Sequence, residues 1–471
     1  MTVVEPGLQY DPGSFRDRHA RVFHADGRVL RALDRTAAED WQTLSRTRFF
    51  RQLLDGGSVV RTEEASAAAL LTRDAASQWS TVLAHERIPF ISYPYEWSFG
   101  MLKDVALLHL DLLLAAIDEG MVLKDSSSFN YQWIGSRPLL IDIASFASLR
   151  PGESWAGYRQ FCRLFLYPLL LGAYKGIPFQ PWLRGSIDGI DAKDCGRVMS
   201  VRDLLRPGVL KHVHLQSRFE RDYASNTRDT RSDLRGAGFH AGLIKANVQG
   251  LKRLIEGLHI RDAGSTWSHY ADSCHYQEQD DAAKVAFVEQ VTSSRHWGLV
   301  WDIGANTGRY SRIAAKAADY VLAIDGDGTA VDRMYEALKS ERSTNVLPIV
   351  CNVAEPSPAL GWRNRERGTL TDRGTPDLTL CLALVHHLAI GVGIPLPEVV
   401  EWLASLRSSL VVEFVTKDDP MVQRLLRNKE DAYDDYELAV FEQSLEKAFR
   451  VNARCVLSSG TRILYFAERR Q

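Results

Sequence analysis

The run Leu299-Val300-Trp301-Asp302-Ile303-Gly304-Ala305-Asn306-Thr307-Gly308 constrains this chain more than any other stretch. Its apolar residues predict a buried strand, and Gly304 and Gly308 predict a turn where bare backbone approaches a ligand closely. In an open parallel sheet, ligands sit outside the carboxyl ends of the strands, so a strand entering such a turn marks one wall of a site. The order here is D-x-G-x-N-x-G, unlike the G-x-G-x-x-G that cradles a dinucleotide pyrophosphate. A carboxylate at the strand end repels a pyrophosphate and attracts a cation. Asp302 therefore selects a nucleoside that carries positive charge.

S-adenosylmethionine (SAM), with its ammonium and sulfonium, is such a nucleoside, and the acid-first glycine pattern is characteristic of its sites. A helix is expected over 311–319 and a second apolar strand over 320–325, ending again in an acid. Asp325 lies 21 residues beyond Gly304, close to the roughly 20-residue offset at which a carboxylate accepts hydrogen bonds from ribose hydroxyls. Asp302, Gly304, Ala305, Asn306, Gly308, Asp325 and Gly326 form the expected cofactor cradle. A lone D-x-G reads equally as a tight turn; the second acid at this offset favours the cofactor. A third strand over 346–350 ends near Asn352, whose amide oxygen either accepts from an adenine amino group or caps a turn.

A fourth strand, over 376–385, delivers His386 and His387 to the same end of the sheet. With an ordinary pKa near 6.5, a histidine there can take a proton from a hydroxyl or amine as it attacks a methyl group. The alternative is that one ring holds the loop while the other packs under the cofactor. Glu413, inside a strand expected over 409–415, is a third candidate at the acceptor, with a satisfied structural acid as the other reading. A helix over 418–427 and two closing strands over 450–456 and 462–466 complete the pattern. Such an antiparallel hairpin at the sheet edge is the methyltransferase variation on the doubly wound fold.

At 471 residues the chain exceeds one ordinary core and predicts two or three domains. A formal charge of −2 supplies no drive toward nucleic acid or an anionic membrane, and neither is expected as a partner. Six cysteines lack C-x-x-C spacing, so no zinc or other metal site is indicated, and they fit a reducing cytoplasm. The first 21 residues carry no apolar signal-peptide core, and charges interrupt the apolar stretches at 101–119 and 158–174. A soluble, cytoplasmic protein is expected. Two basic clusters, 363–367 and 424–429, either hold an acidic group or are solvated faces.

In the first half, strands are expected over 27–33, 58–63 and 88–93 and helices over 37–54 and 101–119. Then come Asp125, Asn130 and, at the end of a strand over 139–142, Asp142. That order matches a phosphoryl-transfer loop, in which an Asp accepts the hydroxyl proton while an Asn and a second Asp bind metal. This half resembles a protein-kinase-like or aminoglycoside-kinase-like fold. It departs from that pattern in lacking a glycine-rich phosphate loop near Gly27, the histidine of H-R-D and the Phe-Gly after Asp142. Three readings stand: an active kinase, a degenerate kinase-like domain that binds substrate or a partner protein, and an unrelated domain in which Asp125 and Asn130 turn the chain. The stretch 185–264 reads as a linker, with an amphipathic helix over 240–258 docking on the C-terminal domain.

From Thr266 onward the chain resembles the class I SAM-dependent methyltransferases, and more narrowly the group related to rhizobial nodulation proteins of the NoeA type. The narrower likeness rests on Thr266-Trp267-Ser268-His269-Tyr270, on 356–364, on Leu384-Val385-His386-His387-Leu388 and on 419–426. The resemblance implies an α/β architecture, a Rossmann-like doubly wound sheet over 266–471, preceded by a separate two-lobed kinase-like α+β domain over 1–184 and a linker over 185–265. It implies SAM as cofactor and little about the acceptor; the expected function is transfer of a methyl group to an oxygen or nitrogen of a small or carbohydrate-like metabolite. A bifunctional kinase and methyltransferase, or a silent protein-binding scaffold, are the rival functions.

Overall fold

The computed structural model describes residues 8–25, 27–65, 79–150, 152–218, 240–260, 278–427, 429 and 433–470. Two compact units divide the chain: the first comprises 1–133, 138–263 and 359–367, the second 134–137, 264–358 and 368–471. The motif at Thr266–Tyr270 and most of the charged stretch 218–235 lie outside the described residues.

In the first unit, strands β1 (Leu8–Tyr10), β2 (Ala20–Ala25), β3 (Arg28–Leu33), β4 (Thr62–Ala65) and β5 (Thr81–His85) form an antiparallel sheet in the order β1-β2-β3-β5-β4. Helices α1 (Arg35–Arg46) and α2 (Arg48–Asp55) stand between β3 and β4. One helix was expected over 37–54; Thr47 breaks it, in extended conformation, and its side chain accepts from Phe50 N at the start of α2. The strand expected over 88–93 does not form. Pro89 removes a donor there, and the Ser92 backbone bonds both ways to the Gln132 side chain, at 2.9 Å each. Helix α3 (Phe99–Asp118) is capped by Ser98, whose hydroxyl accepts from Met101 N. Twelve of its residues are buried, which its nearly continuous apolar run requires.

The region read as a linker is folded where it is described: helices occupy Ala192–Val198, Val201–Leu205 and Val209–Leu215, with Cys195, Val209 and Val213 fully buried. Helix α4 (Ala241–Glu256) buries Ile244, Val248, Leu251 and Ile255 as its periodicity predicts. It was expected to dock on the C-terminal domain, but it belongs to the first unit. It packs on α3, where Lys252 pairs with Asp111 at 2.5 Å and Lys103 donates to the carbonyls of Glu256 and Leu258. Among the described residues no helix is long and apolar enough to cross a membrane.

The second unit is built on seven strands. Helix α5 (Glu278–Thr292) leads into β10 (Trp297–Ile303), and α6 (Arg309–Ala314) into β11 (Ala318–Asp325), with β6 (Met121–Leu123), β7 (Tyr131–Ile134), β8 (Arg137–Leu140) and β9 (Phe146–Ser148) preceding them in the chain. Then follow α7 (Gly328–Ser340), β12 (Val346–Val350), β13 (Leu378–Cys381), α8 (Leu396–Ser405), β14 (Ser409–Val415), α9 (Pro420–Leu426), α10 (Leu438–Ala448), β15 (Phe449–Val456) and β16 (Arg462–Arg469). The order is β12-β11-β10-β13-β14-β16-β15, parallel through β14, with β16 antiparallel between β14 and β15. This is the doubly wound sheet with the expected antiparallel hairpin at its edge. Order reverses between β11 and β13 around β10, the switch point at which such sheets open a crevice. Val300, Val321, Leu378, Val411 and Leu464 share one core cluster with Phe287, Val288 and Val291 of α5.

Candidate functional site

The cradle forms at the carboxyl end of β10 because three residues there take left-handed backbone: Gly304 (φ 80°), Asn306 (φ 49°) and Gly308 (φ 78°). The amides of Gly304 and Ala305 both bond to Ile324 O, at 2.9 and 3.0 Å, which ties the turn to β11. Gly308 then caps α6, and a Cβ there would lie 2.5 Å from Met334 Sδ. Asp325, ending β11, accepts from Asn306 N and from Asp327 N, each at 2.8 Å. A Cβ on Gly326 would meet Asn352 at 3.6 Å, so the ends of β11 and β12 lie side by side. The sequence-predicted cofactor residues are thus brought together.

The two acids differ in exposure, Asp302 buried and Asp325 half-buried. Asp302 is 1% exposed and accepts from Ser311 Oγ at 2.6 Å. Burial pushes its carboxyl up to about 6, and the Ser311 bond and the Lys284 charge only partly oppose that, while Asp325 adds to it. Asp325 is raised too, chiefly by burial. Neither makes an ion pair among the described residues. Both carboxylates are desolvated, and loss of water disfavours the charged form of each. Asn352 Oδ1 accepts from Ala354 N at 3.1 Å, so its turn-capping role is realised.

Parallel pairing of β10 and β13, Ile303 opposite Cys381, brings the histidine loop to the same end of the sheet. The strand is shorter than expected, closing at Cys381, and Ala383 at φ 50° turns the chain. Leu384 lies against Gly304, 3.6 Å from where a Cβ would stand. His386 is fully buried, its ring 4.1 Å from that of His387, and neither of its ring nitrogens has a hydrogen-bond partner. Burial first, then the charges of His387, Arg462 and Lys284, holds His386 well below the ordinary histidine value. His387 is lowered to about 4 by burial and Arg462. Burial thus makes both rings weaker bases than a histidine titrating near 6.5, and both are neutral at physiological pH.

Glu413 is engaged. Its carboxylate binds Lys284 Nζ of α5 at 2.5 Å and Arg462 Nη1 at 3.3 Å, and Arg462 also grips Asp419 at 2.7 and 3.1 Å. All four side chains are at most 7% exposed. Sequence reasoning missed Lys284, Arg462 and Asp419. The available signal was Glu413 itself, since an acid inside a wholly buried strand needs cations from neighbouring elements.

In the first unit, Asp125, Asn130 and Asp142 also converge. Asn130 Nδ2 donates to Ser145 Oγ at 3.1 Å, and Ser145 Oγ to Asp142 Oδ2 at 2.7 Å. The Asp125 carboxyl is raised by burial and by Asp142, and one of its oxygens caps the turn at Ser127 N. Arg31 of β3 pairs with Asp142 at 2.6 Å. The carboxylate that a second metal would need is thus held by a guanidinium. Part of the cluster at 363–367 is engaged within this unit: Glu366 takes Arg16 through two bonds of 2.7 Å, and Arg367 lies 4.5 Å over the Phe129 ring, while Arg363 and Arg365 are exposed.

The sheet order, with its antiparallel edge hairpin and the glycine turn after β10, gives the second unit the α/β architecture of the class I methyltransferases. No family model matches the chain. It is 34% identical over 460 residues, 97% of its length and 95% of the relative's, to nodulation protein NoeA of Rhizobium meliloti (strain 1021), and it belongs to the NoeA family. Among solved structures, the N-methyltransferase NodS from Bradyrhizobium japonicum WM9 in complex with S-adenosyl-L-homocysteine is 12% identical, over 41% of this chain and 88% of that one, with a TM-score of 0.31. Magnesium protoporphyrin IX methyltransferase (ChlM) from Synechocystis PCC 6803 is 15% identical, over 44% and 96%, with a TM-score of 0.32. At those scores the site's chemistry rests on its own geometry.

Proposed function

We propose that the chain is a SAM-dependent methyltransferase acting on an oxygen or nitrogen of a small or carbohydrate-like metabolite. One observation carries the cofactor: Asp302, buried, and Asp325, half-buried, both with raised carboxyls, flank a glycine turn with no cation paired to either among the described residues. A pyrophosphate would meet two carboxylates; an ammonium and sulfonium relieve them. Asp325 would serve the ribose, Asn306 and Gly326 line the cradle, and Asn352 has a lone pair left for the adenine amino group. Bound there, SAM supplies an electrophilic methyl group.

The acceptor would meet it beside His386. A neutral ring with both nitrogens unpartnered takes a hydrogen bond from an O–H or N–H nucleophile and so orients its lone pair, and alignment is much of what a direct displacement needs. Glu413 holds Lys284 and Arg462 in place beneath, and so acts through them. The first unit, read as a degenerate kinase-like domain, would bind substrate or a partner protein. Its antiparallel sheet with helices between β3 and β4 supports that reading, and the Arg31–Asp142 pair speaks against phosphoryl transfer.

Incubating labelled SAM with the protein and an extract of the producing cells tests the proposal by what becomes labelled. Asp302→Ala should abolish labelling with the fold intact; labelling that survives in that variant would overturn the cofactor assignment.

A further inference from the structure

At the opposite end of the seven-stranded sheet, among the amino ends of β10, β13 and β14, lies an open depression of about 1190 Å³. In doubly wound sheets the carboxyl ends carry the cofactor chemistry, so the fold gives no reason for a depression here. Four to seven residues of strand at about 3.3 Å each separate the two ends. The lining is strongly one-signed: Arg295, Arg407, Arg450, Arg469 and Arg470 stand against Asp377 and Glu468 alone. The whole chain carries −2, so this positive basin runs against the charge of the molecule.

Both acids are already committed. Asp377 accepts from the amides of Gly298 and Leu299 at 2.8 and 3.0 Å, and Glu468 is held by Arg450 at 3.0 Å and Asn452 at 2.7 Å. Arg295 is fixed, stacked 4.0 Å over the Trp297 ring, donating to Ser409 Oγ at 2.9 Å and lying 3.7 Å from a Glu468 oxygen. The side chains of Arg407 and Arg469 have no hydrogen-bond or ion-pair partner among the described residues. The backbone at Arg407 adds an independent sign. It follows helix α8 with φ 60°, a left-handed position where glycine is the inexpensive residue, yet an arginine stands there and lines the depression.

We propose that this depression is a binding site for a multiply charged phosphate- or sulfate-type anion, separate from the methyl-transfer site. Guanidinium forks grip such oxyanions through paired bonds, and one preoriented fork (Arg295) beside two unpartnered ones (Arg407, Arg469) suits a ligand with at least two charges. The volume admits a group larger than one phosphate, such as a phosphorylated or sulfated metabolite.

Inorganic pyrophosphate titrated by calorimetry into the full chain, at constant ionic strength with sodium chloride, tests this, with orthophosphate and sulfate as parallel arms. Saturable one-site binding is expected, tighter for pyrophosphate than for either single anion, and weakened at least tenfold in Arg407→Glu/Arg469→Glu. Arg407→Gly should melt at a higher temperature and still bind pyrophosphate more weakly, a combination that a purely structural arginine would not give. Binding should persist in Asp302→Asn, which separates this site from the proposed cofactor site. Absence of saturable binding in the wild type, or equal affinity in the arginine variants, would overturn the proposal.

Discussion

Asp302 couples the site to pH. Its folded carboxyl titrates at about 6, above the ordinary aspartate value, so its contribution to stability is complete below about pH 4 and is lost as pH rises through 6. Above that the buried charge costs the fold on the order of 3 kcal/mol. A cationic ligand needs that charge, so affinity for S-adenosylhomocysteine, which keeps the ammonium, should fall as pH drops from 7 to 5. Asp302→Asn should flatten the profile, weaken binding at least tenfold and raise the melting temperature at pH 7, all readable by calorimetry. The neutral histidines lead elsewhere. His387 titrates at about 4 and His386 is held well below its usual value, so kcat should show no limb near pH 6.5. His386→Ala should lower kcat by about 10- to 100-fold, a loss smaller than removing a full general base can bring. A limb near 6.5 that vanishes in His386→Ala would restore the histidine to a proton-transfer role.

Elements hold these residues through contacts of very different legibility. Strands β12 and β14 fall where the apolar runs place them, because a strand buried on both faces reads as an unbroken apolar segment. The segment 88–93 has the same apolar look, but Pro89 and the Gln132 side chain make it a loop, and only the folded neighbour at 132 could reveal that. Lys284 and Arg462 were hidden for the same reason: each is one charge within an amphipathic element, and its partner Glu413 arrives from 129 and 49 residues away. Lys284→Met leaves the Glu413 charge partly uncompensated and should destabilise the second unit by about 3–5 kcal/mol in urea unfolding. Adding Glu413→Gln should recover part of that loss. At the turn, Gly308→Ala places a Cβ against Met334 in left-handed backbone and should cost about 2 kcal/mol with a parallel loss of cofactor affinity.

At the scale of the whole molecule, each unit poses its own question. The second gathers the strand-end acids, the glycine turn and the histidine loop at one end of its sheet. In the first, Arg31 holds Asp142, so ATP with magnesium should leave the melting curve of the full chain unchanged, and a magnesium-dependent upward shift would revive the bifunctional reading. Sequence alone determined the alternation of strand and helix, the glycine turn, the two strand-end acids and the histidine pair, because each is a local pattern of backbone freedom and side-chain period. It misassigned 185–218 as a linker and sent α4 to the wrong unit, since an amphipathic face announces that it needs a partner and not which one. Tertiary structure decided what the charges mean. It buried Asp302 until its carboxyl rose, stripped both His386 nitrogens of partners, spent Glu413 on Lys284 and Arg462, and gathered five arginines at the far end of the sheet. Solvation and partnership set the chemistry of an ionisable group, and both are properties of the folded neighbourhood.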